Sequence, residues 1–505
     1  MASDNKRIAK NTMYLYARMF LIMGVTLYTS RVILDKLGVT DYGLYNVVGG
    51  VVAMLSFLNG TLSIGTSRFI TYEMGTGNKR MLWQTFNTSF YTHLCLSFII
   101  LLIMETAGLW FFYNKLVIPV DRLNACFWVY QLSLLTTFVN ISQVPYTSLV
   151  QSHEDFNTYA YVSIFEALGK LGICYMITIT AWDKLILYAA LVAAIQILVA
   201  LYYRFYCNRH YEESHLALSF DKSIFRGLMG FSGWNIIANL TNTLTLQGVV
   251  IIMNMFLAPV VVAAQALANQ VSTALMGFVT NFRTAFNPQI IKLYAADERD
   301  ASKKLTLQAT IVCFDLVLLL ALPCIYTMKT IMGVWLVEVP EYAVIFTQCI
   351  LISNILSTFS TSFYIPMMAA NKIKFNSVSS VFLGIMQFIL LYAILRMGGS
   401  ALWVPILHII MVIGYSMVVK PYVLWKDIDY SLTEPLKCYW DCTKVFLLSF
   451  AVSYPPVYFL GDSIWEAAII IFVTVIAVGV SSFIFMEKAM RTKLVSLVKN
   501  KLHHK

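Results

Sequence analysis

Charged residues are scarce in this chain, since Asp, Glu, Lys and Arg make up 12% of its 505 residues, against about 25% in soluble domains. The recognisable catalytic motifs are also missing: there is no Ser-His-Asp set, HExxH, Walker loop or acidic DxD-type cluster. No basic patch interleaved with aromatic residues, as nucleic-acid-binding proteins carry, occurs either. These absences argue against an enzyme and against a nucleic-acid partner.

Cysteine chemistry is equally poor. The chain has nine cysteines, and most fall in apolar runs, where cysteine behaves as a small hydrophobic residue. Cys438 and Cys442 stand one helical turn apart, but neither a second pair nor a nearby histidine completes a zinc set. The sequence therefore predicts no metal and no cofactor.

What the chain has in abundance is apolar sequence, at 59% of its residues. Apolar stretches of about twenty residues recur about fourteen times, and each is long enough to cross a hydrocarbon core of about 30 Å as a helix. Little chain remains for a separate catalytic domain. The predicted fold is an all-α integral membrane protein with about fourteen transmembrane helices. The predicted spans are 12–34, 42–64, 87–112, 125–150, 158–180, 185–206, 228–254, 260–285, 306–328, 343–369, 377–397, 402–424, 442–460 and 464–486.

Lys and Arg are distributed unevenly between the connections. With the N-terminus in the cytoplasm, inner connections and termini hold about 25 of the 36 Lys and Arg, and outer loops hold about six. This asymmetry predicts an even number of spans with both termini cytoplasmic. The net charge of +10 then reflects topology, and anionic inner-leaflet lipids suffice as partners of the basic tail.

The first apolar run is too long for a signal peptide and is predicted to be a retained span.

An offset of about 220 residues brings the chain into register with itself. The matching features are Pro145 with Pro366, Phe156-Asn157 with Phe375-Asn376, Gly108-Leu109-Trp110 with Gly333-Val334-Trp335, and Leu37-Gly38 with Ala258-Pro259. Because this offset covers six spans, both copies enter the membrane from the same side, as in a parallel repeat. We expect an N-terminal lobe (1–225), a C-terminal lobe (226–430) and an appended part (431–505) with spans 13 and 14 and the basic tail. Two such lobes are expected to enclose a central cavity and to rock for alternating access.

Ionisable groups at membrane depth are costly and are the first candidates for a site. Arg18 lies about 12 Å into the first span, and Arg31 near its outer end is a candidate ligand or an interface residue. Glu166 and Lys170 are one turn apart on the fifth span, so they form either a structural pair or a switchable one that frees Lys170 for an anion. We expect the cations to bind substrate.

Two isolated carboxylates are candidates for ion coupling, by proton or sodium. Asp315 lies within the ninth span, and Glu105 lies near the outer end of the third. His93 and His408 are expected to be interior residues rather than proton relays.

The second lobe presents amides in place of charge. Asn235, Asn239 and Asn242 share one face of the seventh span, while Gln265 and Asn269 stand one turn apart on the eighth. Such stripes either hold helices together or line a cavity for sugar hydroxyls. Asn239 occupies the position that Arg18 has in the first lobe, so the second lobe is not expected to repeat that cation.

Two segments carry a family resemblance. These are Arg31-Val-Ile-Leu-Asp-Lys-Leu-Gly-Val-Thr-Asp-Tyr-Gly-Leu-Tyr45 between the first two spans and Gly60-Thr-Leu-Ser-Ile-Gly-Thr-Ser-Arg-Phe-Ile-Thr-Tyr72 at the second span's exit. With the fourteen-span layout, they resemble polysaccharide and O-antigen flippases (Wzx-type) of the multidrug/oligosaccharidyl-lipid/polysaccharide exporter superfamily. The likeness extends over essentially the whole chain.

This resemblance implies a flippase of the bacterial inner membrane. It would move undecaprenyl-diphosphate-linked oligosaccharide across the membrane for O-antigen (lipopolysaccharide), capsule or exopolysaccharide synthesis, alongside other polysaccharide-assembly membrane proteins. The family's cationic cavity would correspond to Arg18, Arg31 and Lys170. The alternatives are a cation-coupled multidrug or small-molecule exporter of the same superfamily, using Asp315 or Glu166, and a membrane polymerase or ligase. A membrane polymerase or ligase is expected to need a larger outer loop than any that the sequence predicts.

Overall fold

The computed structural model describes residues 2–53, 56–153, 155–179, 182–229, 247–284, 286–370, 372–487 and 491–492. Within these ranges, the side chains described exclude 2–21, 53, 56–62, 64, 75, 156, 157, 159, 160, 281, 282, 284, 288, 292 and 295. The described backbone is helical nearly throughout and contains no strand, so the predicted all-α fold is confirmed.

The long helices follow one another with short connections. They are α1 Ala2–Ala53, α2 Ser56–Thr76, α3 Lys79–Ile103, α4 Leu109–Lys115, α5 Leu123–Ser152, α6 Phe156–Ile179, α7 Lys184–His210, α8 Val249–Phe256, α9 Pro259–Thr284, α10 Asn287–Ala295, α11 Arg299–Trp335, α12 Ala343–Ser362, α13 Tyr364–Ala369, α14 Lys374–Arg396, α15 Trp403–Ile413, α16 Lys420–Asp427, α17 Thr433–Phe459 and α18 Ile464–Phe485. Residues 222–229 are also helical. Single π-helical turns, Met104–Gly108 and Gly414–Val419, join α3 to α4 and α15 to α16.

Ten of the described helical stretches are long and apolar enough to cross a membrane. Of the other predicted spans, 12–34 lies on α1, 42–64 extends over parts of α1 and α2, and 442–460 overlaps α17 up to its last residue, Phe459. Most of the predicted span 228–254 lies outside the described residues. The break between the first two spans is at Gly38, whose φ of 79° and ψ of 163° take it out of the helical region. Only glycine adopts that conformation readily, which explains the hairpin at this point.

Several helices extend beyond the apolar runs that predict them. α3 begins at Lys79, eight residues before the predicted span, and Asn78 caps it by accepting a hydrogen bond from the Met81 N–H at 3.1 Å. α17 likewise begins at Thr433, ahead of the predicted residue 442. Hydropathy locates the part of a helix inside the bilayer, whereas caps and backbone bonding determine where the helix ends.

The described residues form two compact units. The first comprises residues up to 266 together with 336–340 and 388–401, and the second comprises 267–335, 341–387 and the chain from 402 onward. In the first unit, a core near the predicted inner ends of α3, α5 and α7 contains Phe86, Tyr146, Leu149 and Tyr203. The division into lobes at 225 and 430 remains a prediction.

Candidate functional site

Close contacts at the predicted outer ends of helices define the first part of the site. A Cβ placed on Gly43 would lie 2.2 Å from the carbonyl oxygen of Pro259, so the two backbones are in direct contact. One placed on Gly50 would lie 3.2 Å from the side chain of Gln247. All four residues belong to the first unit. The hairpin after Gly38 therefore packs against the start of α9, which is its predicted repeat mate.

A buried asparagine completes this contact. Asn254 on α8 is fully buried, its side-chain oxygen accepts a hydrogen bond from the Val117 N–H at 3.1 Å, and its amide donates to the Val117 carbonyl at 3.3 Å. An amide that satisfies both backbone groups of one residue fixes that loop against α8. We name the contacts Gly43–Pro259, Gly50–Gln247 and Asn254–Val117 the outer closure.

An ionic cluster stands beside the outer closure and joins three predicted outer connections. Arg122 donates from Nε to Asp41 at 2.9 Å, makes a second bond to the same carboxylate, and donates to Asp183 at 2.7 Å. Asp183 also caps α7, accepting the Leu185 N–H at 3.0 Å. Forked arginine contacts with carboxylates are among the stronger polar contacts in proteins. The cluster therefore fastens the outer loops of the first unit to one another.

The two carboxyls of this cluster are affected in opposite directions. Burial raises the pKa of Asp41 above its ordinary value, although the hydrogen bond from Arg122 opposes that effect. For Asp183, burial also favours the neutral acid, but bonds from Arg122 and the α7 backbone outweigh it and lower the pKa. Asp41 thus depends more heavily on Arg122 to stay ionised.

The predicted pair on the fifth span is formed. Lys170 Nζ lies 2.9 Å from the Glu166 carboxylate, which also accepts a hydrogen bond from Gln196 of α7 at 3.0 Å. The Lys170 side chain is 46% exposed and that of Glu166 is 31% exposed. This pair is therefore not sealed between helices.

Lys170 is exposed on a different face of α6 from the exposed apolar side chains of that helix. Tyr161, Phe165 and Leu168 are exposed on one side, as on a lipid-facing surface. Lys170 is nine residues after Tyr161, which is about 180° around a helix. It therefore emerges opposite the apolar face, where charge at membrane depth indicates a polar cavity.

The Lys170 side of α6 closes toward the predicted outer end. Ile173, Cys174 and Ile177 lie close to the same side and are buried, and the Cys174 thiol approaches the Thr29 carbonyl at 3.8 Å. α6 is thus covered by α1 beyond Lys170 but open at it. This opening is the second part of the candidate site.

The other predicted substrate ligands are only partly placed. Arg31 is exposed on α1, toward its Gly38 break, and has an interaction of its own. Arg18 lies on α1, but its side chain is outside the described set, and Asn235, Asn239 and Asn242 lie outside the described residues altogether. Gln265 and Asn269 are half-buried on α9, and both have partners. Their roles as ligands remain predictions.

The two predicted coupling carboxylates differ in their surroundings. Glu105 lies in the π-helical turn and accepts a hydrogen bond from Gln131 at 3.3 Å. Asp315 lies on α11 beside Cys442 of α17 and Ser482 of α18. Its buried Oδ1 has no hydrogen-bond partner among the described residues. Asp315 therefore faces the two C-terminal helices.

Of the isolated histidines, His93 is buried within its span and His408 is partly buried. His93 has no exposed surface, and its Nδ1 lies 2.7 Å from the Ser89 carbonyl, while His408 lies 3.4 Å from Gln387. The described residues contain no group of three His, Cys, Asp or Glu that could hold a metal ion.

Sequence analysis missed one buried cation in the second unit. Lys420, at 1% exposure, lies 5.2 Å from the ring of Tyr364 and 4.9 Å from that of Tyr415, directly after a π-helical turn. In the sequence analysis it is included only among the inner basic residues. Arg204, which is included there as well, lies 5.8 Å from the Tyr146 ring and donates a hydrogen bond to Ser142. Hydropathy gives no signal for such contacts with aromatic rings.

The fold has solved counterparts. The lipid II flippase MurJ in an inward closed conformation aligns with a TM-score of 0.69 at 12% identity, covering 94% of this chain and 98% of that one. An inward-facing multidrug resistance MATE family transporter of the MOP superfamily aligns at 0.64 and 14% identity, covering 83% and 95%. A MOP superfamily transporter from Pyrococcus furiosus aligns at 0.58 and 14% identity, covering 84% and 96%.

The chain therefore has a polytopic all-α fold that is similar to the fold of MurJ and of MATE transporters of the MOP superfamily. The match with MurJ covers more of the chain than either of the other two. No protein-family model matches the sequence, and no curated protein does so.

Proposed function

We propose that this protein is a flippase that moves undecaprenyl-diphosphate-linked oligosaccharide units across the bacterial inner membrane by alternating access, and that it is not an enzyme. The observation that carries the proposal is the exposed Lys170–Glu166 pair opposite the apolar face of α6. A hydrophilic head must cross about 30 Å of hydrocarbon, which requires a polar surface at membrane depth. An ammonium group on that surface suits a diphosphate.

The outer closure supplies the gate that such a cycle requires. Its residues come from the hairpin and from α8 and α9, which belong to different predicted lobes. Release to the outer leaflet would require these contacts to separate. Arg18 and Arg31 are proposed to contribute further cations, and Lys420 is a candidate cation beyond the first unit.

The lipid-linked substrate is also supported by the extent of the MurJ match. That match leaves about 6% of the chain uncovered, or roughly 30 residues. The C-terminal helices α17 and α18 extend over 433–485, so at least part of them is included in the matched region. The MATE transporter match covers 83%. The sugar and the polymer, whether O-antigen, capsule or exopolysaccharide, follow from the sequence resemblance alone.

The test is the lipid-linked glycan pool of a strain that lacks the protein, measured by mass spectrometry with the surface polysaccharide. We expect complete undecaprenyl-diphosphate oligosaccharide units to accumulate and the surface polymer to be lost. In the deletion strain, the Lys170→Ala variant should restore no more than about a tenth of the polymer that the wild-type protein restores. The reason is that the charge-assisted contact between Lys170 and the diphosphate is lost. Leu168→Ala, on the apolar face, is the matched control and should restore it fully. An unchanged pool would reject the proposal.

A cation-coupled exporter is the second candidate, favoured by Asp315 with its unbonded buried oxygen. A buried carboxylate of this kind can exchange a proton or sodium ion. If Asp315→Asn removes dependence on the ion gradient while the glycan pool of the deletion strain is normal, the exporter is supported. If transport by Asp315→Asn remains fully gradient-dependent, Asp315 is not the coupling residue.

A further inference from the structure

Residues 211–221, here called the connecting segment, join α7 to the helix at 222–229. Apart from a single 3-10 turn, Glu212–Ser214, the segment is not helical. It runs along α3, to which several hydrogen bonds fasten it. Three of them run from Trp83 Nε1 to the His215 carbonyl at 3.0 Å, from the Ala217 N–H to Asn87 Oδ1 at 2.8 Å, and from the Asp221 N–H to Thr88 Oγ1 at 3.0 Å.

The attachment points show how deep the segment lies. Asn87 and Thr88 are eight and nine residues after the first residue of α3, or about 12–13 Å along its axis. The apolar run of the third predicted span begins at 87. Non-helical backbone at that level needs protein partners for its polar groups, since hydrocarbon offers none. The fully buried Asn87 and Thr88 side chains supply them.

The other side of the segment is apolar and uncovered. Leu216, Leu218 and Phe220 are 46%, 97% and 55% exposed. The chain bends at Leu218, where the Ser219 N–H donates to the Ala217 carbonyl at 2.7 Å, and this most exposed side chain lies at the bend. Two basic residues, Lys222 and Arg226, follow shortly after in the sequence, and both are also exposed. Apolar side chains bordered by cations match a bilayer surface that contains anionic headgroups.

We propose that the connecting segment is a membrane anchor, in which Leu216, Leu218 and Phe220 insert into the cytoplasmic leaflet while Lys222 and Arg226 contact anionic lipid phosphates. The anchor ties the connection between the two predicted lobes to the bilayer surface. It depends on α3 spanning the membrane and is independent of what the protein transports. A negative result for the anchor would therefore leave the proposed function intact, and a negative result for the proposed function would leave the anchor intact.

Depth measurement by spin labelling tests the insertion. A nitroxide would be attached at Leu218→Cys, or at Glu212→Cys as the aqueous control, in the full chain with the exposed Cys95 replaced by Ala. The protein would be reconstituted in nanodiscs containing phosphatidylglycerol. We expect the label at 218 to be at least about threefold more accessible to oxygen than to a soluble nickel chelate, with the order reversed at 212. Equal chelate accessibility at the two positions would overturn the proposal.

Lipid charge tests the basic half of the proposal. The wild-type protein should gain thermal stability when zwitterionic nanodiscs are replaced by phosphatidylglycerol nanodiscs. Lys222→Gln/Arg226→Gln should lose about half of that gain or more, whereas Lys184→Gln/Lys329→Gln, on predicted outer connections, should retain it. An equal gain in both double variants would reject contact between the connecting segment and anionic lipid.

Discussion

The two ends of the first unit are held in different ways. At the predicted outer end, the outer closure places backbone against backbone, and Arg122 bridges two partly buried carboxylates. At the inner end, a cavity of about 760 Å³ lies among the loops. It is bordered by the Lys79–Glu212 pair, whose side chains are 87% and 85% exposed. The outer loops are joined by close backbone packing and a partly buried ionic cluster, whereas solvated and titratable contacts join the inner loops, outside the core of α3, α5 and α7. The proposed function requires an outer end that can open and close, and this asymmetry is compatible with that requirement.

The largest effect is expected from breaking the close approach at the outer closure. Gly43→Val places side-chain carbon within 2.2 Å of the Pro259 carbonyl, where backbone rather than a flexible side chain must move. Overpacking of this kind costs about 1–3 kcal/mol or more, which shifts an open–closed equilibrium by about fivefold to more than a hundredfold. We expect loss of transport and increased labelling of a cysteine at Val47 by a reagent applied from outside.

Gly49 provides the matched control for this prediction. It lies on the same helical segment, but a Cβ placed on it would meet nothing within 4 Å. Gly49→Ala should therefore transport normally and be neutral or slightly stabilising, as expected for alanine in a helix. Equal activity in Gly43→Val and Gly49→Ala would show that the Gly43–Pro259 contact does not control the cycle.

A smaller effect is expected at the ionic cluster. Arg122→Gln leaves Asp41 and Asp183 partly buried without their cation, so we expect a loss of about 1–3 kcal/mol of stability, measured as a lower unfolding temperature. Lys79→Gln removes a pair exposed on both sides and should change stability by less than about 0.5 kcal/mol. Similar losses for the two variants would remove the difference between the outer and inner ends.

Sequence analysis predicted some of this asymmetry and missed the rest for physical reasons. The spans, the Gly38 hairpin and the Glu166–Lys170 pair follow from hydropathy, glycine and helical spacing, all of which are local. The outer closure brings Gly43 to Pro259, which are more than two hundred residues apart, and local patterns do not encode such contacts. The repeat offset aligned these two hairpins without indicating that they touch. The tyrosine contacts of Lys420 and Arg204 were not predicted, because hydropathy and charge counts assign a basic residue near the end of a span to one side of the membrane without indicating its aromatic neighbours.

The smallest effect is expected at the inner end, where a histidine takes part. His153 Nε2 lies 2.6 Å from the Glu213 carboxylate, and its ring stacks on Tyr211 at 4.0 Å. Burial favours the neutral acid at Glu213, but the hydrogen bond from His153 outweighs this effect and lowers the pKa. The contribution of Glu213 is therefore present above its ordinary pKa of about 4.5 and is lost as the pH falls through its lowered pKa in the folded protein.

The pH dependence of this joint follows from the lowered pKa of Glu213. The joint between residue 153 and the connecting segment should weaken by about 0.5–1 kcal/mol as the pH falls below about 4.5, because protonated Glu213 makes only a weaker neutral hydrogen bond. Hydrogen exchange of residues 211–214, corrected for intrinsic rates, should therefore rise about twofold to fivefold between about pH 6 and about pH 3. Glu213→Gln should abolish that dependence, whereas Lys79→Gln should keep most of it. If exchange in the Glu213→Gln protein still follows pH to the same extent, the inner end is held by a group other than this pair.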